Sequence, residues 1–144
     1  MDSKTKKLIE TGDLEFIRKF IKERPGMMEN VFLISCESKS TKTSAIVIQE
    51  LFRLGAEPDK FKTTEYHALL MATKAGNGDV VQILLEHGFD PDKTSFNGRE
   101  TSLMIASENG NARIVKELLE KGANTEKVLD NGNSAIHLAS LKGH

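Results

Sequence analysis

Thr101-Ser-Leu-Met-Ile-Ala-Ser-Glu-Asn-Gly-Asn-Ala-Arg-Ile-Val-Lys-Glu-Leu-Leu-Glu-Lys-Gly-Ala123 decides the fold, because its wording returns in both directions along the chain. Thirty-four residues earlier, Leu103, Ala106, Gly110, Asn111, Val115, Leu118, Leu119 and Gly122 fall on Leu69, Ala72, Gly76, Asn77, Val81, Leu84, Leu85 and Gly88. Thirty-three residues later, Thr101, Ala106 and Gly110 fall on Ser134, Ala139 and Gly143. A period of this length is that of a solenoid, in which each unit buries its apolar face against its neighbours.

Two kinds of helical repeat share the period. Tetratricopeptide units are helical almost throughout and lean on aromatic residues, whereas this chain has no Trp and one Tyr. Each helical pair here is followed instead by a non-helical stretch, Gly88 to Gly98 and Gly122 to Gly132. Those stretches close on Asn97-Gly98 and Asn131-Gly132, dipeptides that tolerate positive φ in a tight hairpin turn.

From about residue 64 onward the chain resembles the ankyrin repeat family. The G-x-T-P-L-H-x-A-A-x-x-G-H core of that family appears as Gly132-Asn-Ser-Ala-Ile-His-Leu-Ala-Ser-Leu-Lys-Gly-His144, and its second half as Gly110 to Ala123. Pro is replaced by Ala68, Ser102 and Ala135, the Thr place is His67 in one unit, and one extra residue separates Gly98 from Thr101. The resemblance implies an all-α repeat solenoid of stacked helix-turn-helix units joined by β-hairpin loops. Its units fall at about 1–26, 27–60, 61–93 and 94–127, with a partial one at 128–144, in a single domain.

Composition agrees and excludes several alternatives. With 38% hydrophobic and 28% charged residues, the chain is ordinary globular material. Lys+Arg 20 against Asp+Glu 21 leaves no bulk charge to draw it onto nucleic acid or anionic lipid. The apolar runs are too short to insert in a membrane, and Lys4, Lys6 and Lys7 precede no signal-peptide core. A lone Cys36 cannot close an internal disulfide, which points to an intracellular, cytoplasmic or nuclear, setting.

Residues 1–26 read as a capping unit, with Ser3 capping a first helix and Gly12-Asp13 opening a second. In the second helix Leu14, Phe16, Ile17, Phe20 and Ile21 form an apolar stripe, charged residues take the other side, and Pro25-Gly26 stops it. The second unit is irregular. Its helices use Val31 to Ile34 and Ala45 to Ala56, and between them Glu37 to Thr43 reads as a polar surface loop, several residues longer than its counterpart. At the other end, Gly143-His144 stands where a second helix would begin, so Ile136 and Leu138 are expected to lack part of their cover. The C-terminal edge is therefore expected to be covered by further repeats or another molecule.

No residues assemble into a catalytic, metal or cofactor site. Cys36 reads as a buried structural thiol. Asp90-Pro-Asp92 lacks the Gly and Glu that a calcium loop would place at Ser95 and Thr101. Four histidines have no ligand spacing, and the periodic glycines belong to turns and caps. His87 stands at a helix C-terminus, where a cation is mildly favourable. The resemblance implies that Ser134 and His137 tie hairpin to helix by hydrogen bonds.

What the resemblance implies about function is a non-catalytic module that binds a partner protein or peptide. The binding surface would be the concave one, built from hairpin tips and first-helix faces. Carried onto this chain, the groove positions are Thr64, Glu65, Tyr66, Lys74 and Ala75 in one unit, and Ser95, Phe96, Asn97, Arg99, Glu100, Glu108 and Asn109 in the next. The last unit supplies Asp130, Asn131, Asn133, Leu141 and Lys142. Phe96 has two readings, an anchor for a partner or a ring folded onto a neighbouring hairpin. The mixed charge suits a polar peptide or protein surface. The alternative is a regulatory or targeting segment of a larger enzyme or signalling protein.

Overall fold

The structure, a computed structural model, describes residues 3–57, 68–95 and 99–144. Among them are nine α-helices: α1 (Ser3–Thr11), α2 (Leu14–Glu23), α3 (Met28–Glu37), α4 (Thr41–Arg53), α5 (Ala68–Ala75), α6 (Gly78–Glu86), α7 (Ser102–Glu108), α8 (Ala112–Glu120) and α9 (Ala135–Lys142). A 3-10 turn over Pro25–Met27 leads from the first pair into α3.

Helix starts follow side-chain chemistry. The Asp13 carboxylate accepts from the Phe16 N–H at 3.1 Å, and Asn77 and Asn111 do the same for Val80 and Ile114 at 3.3 Å. Each satisfies one of the amide donors that a helix leaves without a partner at its start. Asn77 is fully buried, and its amide also donates to the Ser38 carbonyl at 3.0 Å, so one side chain caps α6 and fastens it to the preceding unit.

The helices form two layers. The inner layer runs α1, α3, α5, α7, α9, each packed on the next, and the outer layer runs α2, α4, α6, α8. Close approach of the inner helices rests on small residues at one register: Ser35, Ala72 and Ala106 are fully buried. The Ser35 hydroxyl turns back to donate to the Val31 carbonyl at 2.7 Å, which removes the cost of burying it. One continuous core between the layers takes Ile17, Phe32, Ile48, Leu51, Leu69, Val81, Leu84, Leu103, Ile114 and Leu118.

The polar loop expected over Glu37 to Thr43 is not there. Helix α3 continues through Glu37 and α4 starts at Thr41, leaving a connection of Ser38 to Ser40. From Ser35 to the N-cap Ser40 is the same distance in sequence as from Ala72 to Asn77 or Ala106 to Asn111. The additional residues lengthen α4 to 13, against 9 in α6 and in α8. Four residues are close to one helical turn of about 3.6, so the insertion keeps the apolar face of α4 in register. The added turn packs on α1: Ser44 is fully buried, and a Cβ placed on Gly12 would come within 2.8 Å of Thr43 Cγ2.

Two further expectations need correction. Phe16 was placed in the buried stripe of α2, yet only Ile17, Phe20 and Ile21 are buried there. Phe16 is half exposed and stacks on Phe20 with ring centroids 6.3 Å apart. In the last hairpin Gly132 alone takes positive φ, at 81°, while the Asn131 side chain accepts from the Asn133 N–H at 3.0 Å. The hairpins are closed by single antiparallel bridges, Thr94 with Thr101 and Val128 with Ser134.

Candidate functional site: the inner-helix face

Ser35, Ala72, Ala106 and Ala139, the small residues at one place in α3, α5, α7 and α9, set a reference. One residue before it stand Ile34, Met71, Ile105 and Leu138, and two residues after it stand Glu37, Lys74, Glu108 and Leu141. The first row is apolar in every unit, with Ile34, Met71 and Leu138 half-buried and Ile105 buried. The second row changes chemistry from unit to unit and reaches solvent.

Two hollows open on this face in the N-terminal half. One, of about 410 Å³, lies where α1 meets α3 and is lined by Ile9, Glu10, Ile34, Glu37 and the Ser38–Ser40 connection. The other, of about 270 Å³, is lined by Glu37, Met71, Lys74 and Ala75. Glu37 borders both, so they form one shallow trough with aliphatic walls and charged rims. Of the expected groove residues only Lys74 and Ala75 belong to it. Ile9, Glu10, Ile34, Glu37 and Met71 were missed because the family motif that located the groove begins only near residue 64. The signal for them was present in the register, since Ser35 already occupies the place of Ala72.

The C-terminal half carries the remaining expected residues, and there the charges are paired between units. Arg99 Nε lies 3.1 Å from Asp130 Oδ2, and Lys142 Nζ lies 3.4 Å from Glu108 Oε1. Asn109 ends α7 and is exposed, Asn133 is half-buried, and Leu141 is largely exposed. Glu100 is held in place through its backbone, its carbonyl accepting from the Ser95 N–H at 3.0 Å and its N–H donating to Ser95 Oγ at 3.3 Å. Ser95 is itself buried, which removes it from the groove surface. Glu65, Tyr66, Phe96 and Asn97, with Thr64 and His67, lie outside the described residues.

Elsewhere the side chains do structural work. Ser134 and His137 close a reciprocal cap: the Ser134 N–H donates to His137 Nδ1 at 3.2 Å, and the hydroxyl lies 2.8 Å from the same nitrogen. Cys36 is fully buried, and burial raises its thiol pKa well above the ordinary value. The Asp90 carboxylate accepts from the Asp92 N–H at 2.9 Å, and that of Asp92 accepts from the Asn124 N–H at 2.9 Å. His87 caps the end of α6, with its ring stacked on Phe52 at 3.8 Å between centroids. Phe32 and Phe89 meet the same Phe52 edge-on, joining the second and third units. On the outer layer Glu50 is 5% exposed and lies 2.7 Å from Arg18 Nε and 3.8 Å from Arg53. The hydrogen bond from Arg18 holds the Glu50 carboxyl below its ordinary pKa, against the opposing effect of burial.

Two family models match the chain: ankyrin repeats in three copies over residues 95–144, and ankyrin repeats in many copies over residues 66–117. Together they span residues 66–144, more than half of the sequence. The chain is an ankyrin repeat protein. No curated protein matches it closely enough to be called a relative. Helices α1 to α4 precede the matched residues, and they continue the same two-layered ankyrin stack. Ankyrin repeats generally serve as protein–protein interaction modules. No helix among the described residues is long and apolar enough to cross a membrane.

Proposed function

We propose that this ankyrin repeat protein binds another protein or peptide on its inner-helix and hairpin surface, and that it does so without catalysis, cofactor or nucleic acid. The observation that carries the reading is the contrast between adjacent registers. Ser35, Ala72 and Ala106 are small and fully buried, whereas Glu37, Lys74, Glu108 and Leu141, two residues after the same place in successive units, alternate between acid, base and hydrocarbon. A position fixed by packing keeps its chemistry, and one that packing leaves free can specialise for a partner. The aliphatic trough under Glu37 and Lys74 adds apolar area beside the charges, the combination that binding surfaces use. Intracellular placement goes with this reading, since a single cysteine cannot close an internal disulfide.

The test is affinity capture with three versions of the chain. A groove variant carries Glu37→Lys, Lys74→Glu and Arg99→Glu, and a control carries charge changes on the outer helices, Gln82→Glu, Glu86→Lys and Lys121→Glu. Proteins retained by the unaltered chain and the control but lost by the groove variant support the reading. Equal retention by all three, with matched helical content, overturns the assignment of the surface.

A further inference from the structure

The N-terminal trough has a charge pattern of its own. Glu10 lies three residues before the N-cap Asp13, the place that Glu37, Lys74 and Glu108 hold before Ser40, Asn77 and Asn111. In the C-terminal half this register is answered from the next unit, since Lys142 Nζ lies 3.4 Å from Glu108 Oε1. Glu10 and Glu37 are both exposed and both border the hollow of about 410 Å³ where α1 meets α3, yet among the described residues neither meets a cation. The described lining of that hollow holds these two carboxylates against one ammonium, Lys39, in a chain whose formal net charge is only -1. Lys74 shares the second hollow with Glu37 without forming an ion pair to it.

Hydrocarbon accompanies the two acids. Ile34 lines the first hollow and Met71 the second, and both are half-buried, so each leaves part of an aliphatic side chain facing the trough. A bare cation would answer the carboxylates and leave that hydrocarbon in water. An apolar segment alone would cover the hydrocarbon and desolvate two unmatched charges. A lysine or arginine next to an aliphatic residue meets both needs, because its stem can lie along apolar surface while its head donates to a carboxylate. Resting on the reading above that this face binds a partner, we propose that the hollow between α1 and α3 takes a basic, aliphatic segment of a partner protein. Glu10 and Glu37 accept from its cationic side chain, and Ile34 and Met71 lie under its hydrocarbon.

Selection of a phage-displayed library of short random peptides on the full chain, followed by fluorescence anisotropy of the selected peptides, tests this. The selected sequences are expected to carry Lys or Arg next to Leu, Ile, Val or Met. Glu10→Gln combined with Glu37→Gln, at exposed positions where circular dichroism checks that the helices are kept, weakens binding by about tenfold or more. The loss caused by Glu37→Lys is partly recovered by a peptide whose basic residue is changed to Glu. Selected peptides without a basic residue, or binding indifferent to the two Glu→Gln changes, overturn the inference. Where such binding still falls with Lys74→Glu or Arg99→Glu, the face binds partners and only the chemistry assigned to the occupant is wrong. Where it falls with neither, or no peptide is selected, the surface assignment fails as well.

Discussion

The two ends of the stack are finished differently. At the N-terminal end the outward side of α2 carries Glu15, Lys19 and Lys22, all exposed, and the same register of α8 carries Arg113, Glu117 and Glu120. That row is polar even inside the stack, where Arg113 reaches back 2.7 Å to Asp79 of α6. The forward row is aliphatic: Ile17 and Ile21 in α2, Val81 and Leu85 in α6, Val115 and Leu119 in α8. Helices α2 and α8 thus offer charge backward and hydrocarbon forward. Within these residues the first outer helix shows little more than its ordinary polar side, whereas the last shows its apolar side. Leu119 is 44% exposed where Leu85 is 5%. At about 1.5–3 kcal/mol for full burial of one such side chain, Leu119 and Ile136 together leave on the order of 2 kcal/mol to whatever covers them.

Truncating equivalent residues in and out of cover gives the largest contrast. Leu103 and Ile136 share a register, but Leu103 is 3% exposed and Ile136 is 75% exposed. Leu103→Ala is expected to cost about 2–5 kcal/mol, since it removes methyl groups and leaves a cavity between α7, α8 and α9. Ile136→Ala, measured on the monomer, is expected to stay within about 0.5 kcal/mol. Urea unfolding of both variants decides it. Comparable losses would mean that the end is packed in solution by something that lowers the exposure of Ile136.

The ionic lock at the other end comes next. Glu50 is nearly inaccessible and its carboxylate is met by Arg18 of α2 and Arg53 of α4. Arg18→Ala leaves that buried carboxylate with only the more distant Arg53 and is expected to lower the urea midpoint. Acid has a related effect. Because the Glu50 pKa is depressed in the fold, its stabilisation is present above the pKa of the unfolded chain and is lost as pH falls through the lower, folded value. Glu50→Gln should therefore flatten the acid side of the stability profile, and an unchanged profile would show that other carboxylates govern it.

Glycine positions sharpen the same comparison at smaller scale. Gly12 and Gly110 both precede an outer-helix cap, at φ 63° and 66°. Alanine at either is strained by about 1–2 kcal/mol in this region. At Gly12 its methyl would also meet Thr43 Cγ2 at 2.8 Å, on a β-branched side chain stiffened by its helix, whereas at Gly110 it meets the ring of the terminal His144 at 2.5 Å. The His144 ring sits at the far end of a rotatable side chain and can turn away. Gly12→Ala is thus expected to cost more than Gly110→Ala, and equal costs would imply that the added turn of α4 does not press on α1.

That added turn marks where reading the sequence stopped short. The repeat words identify the helical pairs and the hairpin stretches between them, because each follows from local chemistry repeated at fixed spacing. Glu37 to Thr43 read as a loop because hydroxyl and lysine side chains are poor evidence of helix. Tertiary support from α1 overrode that weak preference, and four residues fit a helical turn without disturbing the face that follows. Phe16 differs for a complementary reason, as periodicity places it on the stripe but does not encode how much of each side chain its neighbours cover. In the candidate site, Arg99, Glu108, Asp130 and Lys142 were found as groove charges by register. Their pairing across units depends on side-chain reach, which spacing does not encode.

Those pairs supply the smallest expected effect. Arg99 and Asp130 are both exposed, at 60% and 74%, and their 3.1 Å contact joins the hairpin regions of the last two units. An exposed pair of this kind contributes about 0–1 kcal/mol, because water screens it and two flexible side chains must be held still. Asp130→Ala should therefore leave the urea midpoint almost unchanged, and the little that is lost should vanish in high salt. If the pair serves a partner instead, the same substitution changes how the Arg99 guanidinium is oriented, so capture of partners changes while stability does not. A stability loss well above 1 kcal/mol would mean the hairpin edge helps hold the last unit on the stack, and the C-terminal end would then be less bare than the exposure of Ile136 implies.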